Sequence, residues 1–269
     1  MKKDLSSQHT FAVCAYKESA YLRACLESLR NQTVKSRIVL ATSTPSDFLR
    51  NLAEEFRIDY RVNPEQGRGI AADWNFALSC AETAYCTIAH QDDLYLPDYA
   101  ERVVRALARH QDSLIAFTDY ADRVMPEDVV RGDRFYLWIK RFLLLPFYGK
   151  HAIGSRFFKE WSLRFGNAIC CPAVTYHLSN LPGLRFDEEF SVNLDWAMWL
   201  TLAARRGTFV YLPERLMQHR ISDAMETSSA IADRRRYRED QKIFDALWPR
   251  PIARLLMHFY AKNYEGDRL

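Results

Sequence analysis

The chain has 269 residues, of which 48% are hydrophobic, so it can bury a substantial core and lacks the composition of a disordered protein. Charged residues make up 26% and the formal net charge is only +3, which is too small by itself to indicate nucleic acid as a partner. No apolar run approaches the roughly 20 residues that span a bilayer, and residues 1–10 show no signal-peptide core. We expect a cytoplasmic protein, with peripheral contact at the inner face of the membrane as an open alternative.

The cysteines indicate the same compartment. Six are present, and none forms the CxxC pairs that are typical of a zinc site. Most lie within apolar stretches, as core thiols of a reducing compartment do. They are Cys14, Cys25, Cys80, Cys86, Cys170 and Cys171.

Short apolar runs alternate with helical patterns over the first half of the chain. Residues 11–15 predict a strand, after which Leu22, Cys25, Leu26 and Leu29 recur at helix spacing. Helical patterns separate further strand-like runs at 38–41, 58–62, 85–89 and 114–118. This alternation predicts an α/β fold with a mostly parallel sheet and right-handed connections, in one compact domain.

The run at 85–89 leads to two adjacent carboxylates, Asp92 and Asp93. In an open parallel sheet, ligands bind outside the carboxyl ends of the strands. Two carboxylates there suit a hard divalent cation, whose coordination substrate phosphates complete. The alternative is that the pair caps the following helix, because residues 96–98, Leu-Pro-Asp, also resemble a helix start.

Two polar loops in this half are candidates for ligand contact. Residues 16–19, Tyr-Lys-Glu-Ser, follow the first strand, where a ligand-binding loop would lie. Residues 67–69, Gly-Arg-Gly, lack the third glycine and the preceding strand of a dinucleotide-binding loop. Arg68 could still contact a phosphate, although an isolated loop arginine is more often solvated.

The alternation becomes irregular beyond Asp122, where glycines are few and aromatic residues many. We expect helices and loops that cover one end of the sheet, with further strands at 168–178 and 207–212. Between these strands a helix opens with Asp195, and the tryptophans that follow would anchor that helix in the core. The alternative for Asp195 is a helix N-cap.

Two segments mix apolar and basic residues as interfacial helices do. One is residues 135–150, for which a buried helix with a few exposed lysines and arginines is the alternative. The other joins the arginines at 234–236 and Arg238 to the apolar stretch 251–260, which could lie against anionic lipid. For the arginines, a solvated helix face is the more common arrangement.

Five motifs follow one another along the chain. They are residues 11–31 with Tyr16-Lys17-Glu18, residues 69–77 with Asn75, His90-Gln91-Asp92-Asp93, Asn193-Leu194-Asp195, and His219-Arg220. In this order and at this spacing they resemble the family 2 glycosyltransferases of GT-A fold. The matching family features are the opening strand and loop, the Gly and Asn helix, the Asp-x-Asp-Asp metal motif, the Glu-Asp catalytic pair and a late basic motif.

The resemblance implies a GT-A-type, Rossmann-like, mostly parallel sheet flanked by helices, with an acceptor-side region and C-terminal helices. It implies inverting transfer of a sugar from a nucleotide-diphosphate donor, most often a UDP-sugar, to a hydroxyl of a saccharide or lipid-linked acceptor. Mn²⁺ or Mg²⁺ is the implied cofactor, and cell-surface polysaccharide or glycolipid synthesis is the implied context. Nucleic acid is not an expected partner.

The resemblance also implies residue roles. Asp92 and Asp93 would hold the metal, with Asp195 as the general base. His219 would be a further metal ligand or a diphosphate donor, and Arg220 would neutralise phosphate; an ordinary surface histidine stays open for His219. The implied nucleotide-binding residues are Ala15, Tyr16, Glu18, Thr42, Ser43, Arg68, Asn75 and Asp92.

Three departures from the family pattern affect these roles. Thr42-Ser43 replaces the Asp-Asp that usually contacts the base, so uridine is less secure as the nucleotide. His90 replaces the first aspartate of the metal motif, and Leu194 replaces the family's glutamate.

We expect residues 1–125 to bind the nucleotide sugar, 126–232 to form the acceptor side of the same domain, and 233–269 to form a helical extension. One rival is a nucleotidyltransferase, which would need a glycine-rich basic loop that residues 15–19 do not offer. The other is a non-catalytic relative that binds a nucleotide or glycan, which the three departures keep open.

Overall fold

A computed structural model describes residues 8–221 and 234–266, with side chains up to residue 261. Ten strands lie within these ranges. They are β1 His9–Ala15, β2 Arg37–Thr42, β3 Asp59–Val62, β4 Tyr85–His90, β5 Leu94–Tyr95, β6 Ser113–Val124, β7 Val129–Arg131, β8 Ala152–Ile153, β9 Val174–His177 and β10 Thr208–Ile221.

The helices of the described ranges follow the strands in alternation up to β6 and then cluster. They are α1 Leu22–Arg30, α2 Asp47–Phe56, α3 Ile70–Ser79, α4 Tyr99–Arg109, α5 Phe135–Leu143, α6 Leu145–Tyr148, α7 Arg156–Trp161 and α8 Leu194–Ala204. Two more close the described chain, α9 Arg235–Leu247 and α10 Arg250–Gly266.

One sheet contains all ten strands, in the order β3-β2-β1-β4-β9-β6-β10-β5, with β7 beside β6 and β8 beside β10. The pairs β1/β2, β1/β4, β2/β3 and β6/β10 are parallel. β9 runs antiparallel between β4 and β6 and joins the two parallel parts. The predicted α/β class with a mostly parallel sheet is confirmed.

The core has two layers because successive side chains of a strand point to opposite faces. Phe11 and Val13 of β1 belong to the core layer that contains the buried residues of α1, α2 and α4, whereas Ala12 belongs to the layer that contains those of α3, α8 and the C-terminal helices. α1 buries Leu22, Cys25, Leu26 and Leu29, which are the positions that the helical spacing predicted. Helices therefore cover both faces and leave the carboxyl ends of β1, β2 and β4 for loops.

Two strand predictions in the second half need correction. The strand predicted at 168–178 comprises only Val174–His177, because Pro172 lies in a 3-10 turn just before it and has no N–H to donate. The strand predicted at 207–212 extends to Ile221, because bulges carry β10 past Pro213 while it stays paired with β6. The extension places His219 and Arg220 at the edge of the sheet where β4 ends.

Three further expectations from the sequence concern membrane helices, the cysteines and the division of the chain. Within residues 8–221 and 234–266, no helix is long and apolar enough to cross a membrane. All six cysteines are free, and Cys25, Cys86 and Cys171 are buried. The division at residues 125 and 232 stays a proposal, and its segment 222–233 lies outside the described residues.

Candidate active site

The loops after β1, β2 and β4 are tied together at one edge of the sheet. The Gln91 side chain accepts the Tyr16 N–H (3.1 Å) and donates to the Tyr16 carbonyl (3.0 Å). The Lys17 N–H donates to Thr44 Oγ1 (2.6 Å). Tyr16 as a whole residue is 55% exposed, which leaves room for its ring to contact a planar ligand. Glu18 lies exposed in the same loop.

A carboxylate that the sequence analysis did not select, Asp73 of α3, lies at the end of β2. Ser43 Oγ donates to Asp73 Oδ2 (2.8 Å), and Asn63 Nδ2 donates to Asp73 Oδ1 (3.1 Å). The acidic group that Thr42-Ser43 lacks is thus present beside that loop, supplied by a residue 30 positions later. The sequence pattern places Asp73 near the start of a helix, but it does not show which side chains Asp73 contacts.

Asp93 is the centre of an acidic group at the end of β4. Ligand atoms of His90, Asp92 and Asp93 lie within 4.8 Å of one another. Asp93 is buried, and its Oδ1 accepts the Arg220 N–H (2.9 Å). Its Oδ2 has no hydrogen-bond partner among the described residues, and neither has His90 Nε2. A buried carboxylate oxygen without a partner is rare, so this donor set fits a hard divalent cation.

His219 lies next to this group but outside the 4.8 Å set. Its Nδ1 is 3.7 Å from Oδ1 of the buried Asp122, an oxygen without a hydrogen bond in the described part of the chain. Asp122 Oδ2 accepts the Tyr136 hydroxyl and lies 3.8 Å from Arg134. At 3.7 Å the contact is an ion pair and not a hydrogen bond, but a carboxylate behind one ring nitrogen still favours a histidine that is turned towards a ligand on its other side. Asp122 is therefore a second candidate site residue that sequence analysis did not select.

The electrostatics of this group favour a bound cation. Burial raises the pKa of Asp93 above its ordinary value, and burial lowers the pKa of His90. For His219, burial alone would lower the pKa, but the carboxylates of Asp93, Asp122 and Asp92 together raise it. Without a cation, the protein thus stabilises the ionised form of Asp93 poorly, and a bound divalent ion would stabilise that form.

Arg220 is almost fully buried and contacts the loop of Asp92 and Asp93. Its Nε donates to the Asp92 carbonyl (2.7 Å), and its guanidinium lies 4.3 Å from the centre of the Tyr21 ring. Its Nη1 is 3.9 Å from Asp128. These contacts position the loop 92–93; contact with a phosphate stays a prediction.

Asp195 lies in the first turn of α8 and is half-buried. Its Oδ2 accepts Asn167 Nδ2 (2.7 Å), and its Oδ1 accepts the Trp196 N–H (2.7 Å). Asn193, two residues earlier, occupies the N-cap position, so the N-cap alternative for Asp195 is wrong. Burial raises the pKa of Asp195, against the hydrogen bonds from Trp196 and Asn167.

The start of α8 is held by α9. The Glu239 carboxylate accepts the backbone N–H groups of Ser191 (2.8 Å), Val192 (3.0 Å) and Asn193 (2.8 Å). Burial alone would raise the pKa of Glu239, but these hydrogen bonds keep it below its ordinary value. Further along α8, the fully buried Trp196 donates its ring N–H to the Leu163 carbonyl (3.0 Å). The predicted anchoring of this helix by its tryptophans is confirmed.

The charges of Asp93, Asp122 and Asp195 all act on one side chain, the half-buried Cys170. After burial, these three carboxylates raise the pKa of its thiol, whereas Lys140 lowers it. Lys140 of α5 donates to the Tyr120 hydroxyl (2.8 Å). The metal motif, the histidine partner and the candidate base thus all lie near enough to Cys170 to shift its pKa, although they come from β4, β6 and α8.

Two predicted nucleotide residues have other partners. Arg68 forms ion pairs with Glu65 and Glu188. Asn75 is buried and uses both ends of its amide on the backbone of Phe186, accepting its N–H (2.6 Å) and donating to its carbonyl (3.1 Å). These bonds fit structural roles, and nucleotide contact by either residue stays a prediction. Ala15, Thr42 and Ser43 lie at the carboxyl ends of β1 and β2, as expected.

The chain is similar in sequence to a known family and to a named relative. The profile of the family described as Glycosyl transferase family 2 matches residues 10–170, which is more than half of the chain. EpsH of Bacillus subtilis (strain 168), which carries a glycosyltransferase name, is 31% identical over 107 residues, or 38% of this chain. This stretch is 31% of EpsH, so the chain matches about a third of that relative's length.

Solved structures share the fold. S. aureus TarS 1–349 in complex with UDP-GlcNAc has a TM-score of 0.60 at 16% identity, covering 97% of this chain and 73% of that one. The mannosyltransferase PcManGT from Pyrobaculum calidifontis, in complex with GDP-Man and Mn²⁺, has a TM-score of 0.59 at 15% identity, covering 98% and 75%. At these identities the comparison establishes a common GT-A fold.

Proposed function

The chain belongs to glycosyl transferase family 2, and from that premise we propose that it transfers a sugar from a nucleotide-diphosphate donor to an acceptor hydroxyl. The reaction would depend on a divalent metal and invert the anomeric carbon. The donor would be a UDP-sugar and the acceptor a saccharide or a lipid-linked saccharide, in cell-surface polysaccharide or glycolipid synthesis. TarS with UDP-GlcNAc and PcManGT with GDP-Man and Mn²⁺ support a nucleotide-sugar donor and a metal.

The observation that carries this proposal is the unpartnered Oδ2 of Asp93. It is buried beside His90 and Asp92, at the end of a strand where ligands of such sheets bind. Leaving a buried carboxylate oxygen unsatisfied costs free energy, and a cation bound there would recover it. His90, Asp92 and Asp93 would hold Mn²⁺ or Mg²⁺, with His219 as a further ligand.

The metal, when bound, would act as a Lewis acid on the diphosphate oxygens that leave with negative charge. The residues of the chain would do the remaining work. Tyr16 would stack on the base, and Glu18 would accept a hydroxyl or ring N–H. Asp73, held by Ser43 and Asn63, would supply the carboxylate at the base that Thr42-Ser43 does not.

Asp195 would take the proton of the acceptor hydroxyl. A base must be ionised and fixed close to the proton that it removes. Asn167 and the Trp196 N–H fix the Asp195 carboxylate, and its raised pKa makes it a stronger base than an exposed aspartate. In an inverting reaction the base and the leaving diphosphate lie on opposite sides of the sugar. Asp195 and Asp93, whose charges both act on the Cys170 thiol, would lie on these two sides.

The test is whether metal and donor bind as a linked pair through Asp93. Asp93→Asn keeps an oxygen for the Arg220 N–H but removes the charge, so we expect Mn²⁺-dependent binding of UDP to be lost in calorimetry. The control is Asp133→Asn, which removes an exposed carboxylate from the loop before α5. Unchanged affinity and metal dependence in Asp93→Asn would overturn the proposed site, and hydrolysis of a UDP-sugar with and without Mn²⁺ separates an enzyme from a binding protein.

A further inference from the structure

The outer face of α5 and α6 presents an apolar stripe to solvent. Phe135, Trp138, Phe142 and Leu145 are 78%, 60%, 68% and 53% exposed. Phe135, Trp138 and Phe142 are spaced by three and four residues and so lie on one face of α5, and Leu145 begins α6. We call these four side chains the α5 stripe. Nine of the eighteen large hydrophobic side chains exposed in the described residues lie between 135 and 161, so this concentration is not a scatter of single residues.

The inner face of the same helix reaches the candidate active site. Tyr136 donates to Asp122, the carboxylate behind His219. Lys140 donates to Tyr120, and its charge acts on Asp195. Leu137 and Leu143 are buried in the core and fix the helix in this position. The α5 stripe therefore borders the acceptor side of the site.

The segment around the α5 stripe has an excess of cations. No aspartate or glutamate occurs between Asp133 and Glu160, a segment that contains six lysines and arginines. Its three arginines pair with carboxylates outside the segment, Arg134 with Asp122, Arg141 with Asp119 and Arg156 with Glu160, and Lys159 is buried. Lys140 donates to a hydroxyl and Lys150 is exposed, and neither forms an ion pair with a described residue. Exposed aromatic side chains flanked by cations fit an anionic lipid surface, where the rings enter the headgroup region and the cations meet phosphates.

We propose that the α5 stripe is a membrane-docking surface that holds the active site against an anionic bilayer, so that the acceptor hydroxyl belongs to a lipid-linked substrate. The identification of the acceptor rests on the proposed function; the docking surface does not. A second copy of the chain fits less well, because it would bring two basic segments together. The segment 222–233 fits less well too, since its only large apolar residues are Met225 and Ile231.

The experiment is co-flotation of the full chain with lipid vesicles, without donor, metal or acceptor. We expect binding to vesicles of phosphatidylcholine with phosphatidylglycerol and little binding to phosphatidylcholine alone. The variant Trp138→Ser/Phe142→Ser should bind the anionic vesicles at least ~10-fold less, because two large apolar side chains no longer enter the interface. Phe48→Ser, at an exposed phenylalanine of α2 in the nucleotide half, is the matched control and should bind as the unaltered chain does.

Three results would overturn the docking surface. They are no binding of the unaltered chain to either vesicle, equal binding to both, or full binding of the double variant. A dimer in light scattering that the double variant abolishes, without vesicle binding, would instead assign the stripe to a second copy. If the double variant does not fold, Phe135→Ser removes the most exposed ring of the stripe and serves in its place. Vesicle binding by a chain that neither binds UDP with Mn²⁺ nor hydrolyses a UDP-sugar would refute the proposed function and leave the docking surface standing.

Discussion

The two halves of the molecule position their site residues by different means. Up to residue 125, Tyr16 follows β1 directly and Asp93 lies three residues after the end of β4, so their places depend first on where a strand ends. Beyond it, Asp195 depends on Asn167, which is 28 residues away, and the start of its helix depends on Glu239, a further 44 residues along. The sequence next to the strands therefore places the residues of the proposed nucleotide side, and distant contacts such as that of Arg220 with Asp93 only add to it, whereas the proposed acceptor side is assembled from distant parts of the chain.

This difference predicts where the halves respond differently to substitution. Changes on the acceptor side should lower turnover while donor binding persists, and changes on the nucleotide side should act on donor and metal affinity. Four substitutions examine this division, in order of decreasing effect.

Asp195→Asn should lower turnover by about 10²- to 10⁴-fold, because that is the usual contribution of a general base. Donor affinity should not change, since Asn retains the oxygen that accepts from Trp196 or Asn167. The measurement is turnover at saturating donor, alongside the dissociation constant of the donor. Asp245→Asn, at an exposed position of α9, is the control. Near-normal turnover in Asp195→Asn would show that another group takes the proton.

Asp122→Asn should weaken Mn²⁺ affinity by about 10- to 100-fold, the usual effect of removing a carboxylate that orients a metal-binding histidine. Asp122 belongs to β6 but acts on the metal site through His219, so the effect would show where the two halves join. Calorimetric titration of Mn²⁺ in the presence of UDP measures it. Asp133→Asn, which removes an exposed carboxylate from the loop before α5, serves as the reference. Equal affinities for the two variants would remove His219 from the metal site.

Glu239→Gln should reduce the free energy of unfolding by about 1.5–3 kcal/mol, since hydrogen bonds to a charged acceptor are lost. It should also lower kcat more than it raises the donor KM, because the start of α8 carries Asp195. Thermal unfolding and steady-state kinetics measure the two effects. Glu189→Gln, which loses an exposed pair with Lys242, is the comparison. A loss of stability with unchanged kcat would make Glu239 purely structural.

Asp73→Asn should have the smallest effect, a fewfold weaker donor affinity, corresponding to about 0.5–1.5 kcal/mol for one hydrogen bond to the base. Turnover at saturating donor should be retained. The dissociation constant for UDP, set against that for diphosphate alone, isolates the contribution of the base. Asp59→Asn provides the matched loss of a carboxylate on β3, away from the loops, where it pairs with Arg37. Equal affinity for UDP would place the base away from Asp73.

Much of the nucleotide side follows from the sequence because its signals are local. The spacing of Leu22, Cys25, Leu26 and Leu29 predicts α1, and the apolar run before Asp92 predicts β4. These patterns arise from periods of 3.6 and 2 residues, which a short window contains. The same reasoning placed Asp195 at the start of a buried helix.

Only the tertiary structure showed which side chains meet. The contacts of Asp73 with Ser43, of Asp122 with His219 and of Glu239 with the start of α8 each join separate elements. β10 reaches the site because bulges carry it past Pro213, where the sequence pattern alone predicts an end. Such contacts depend on strand order and register across the whole sheet, and no local stretch of sequence contains that information.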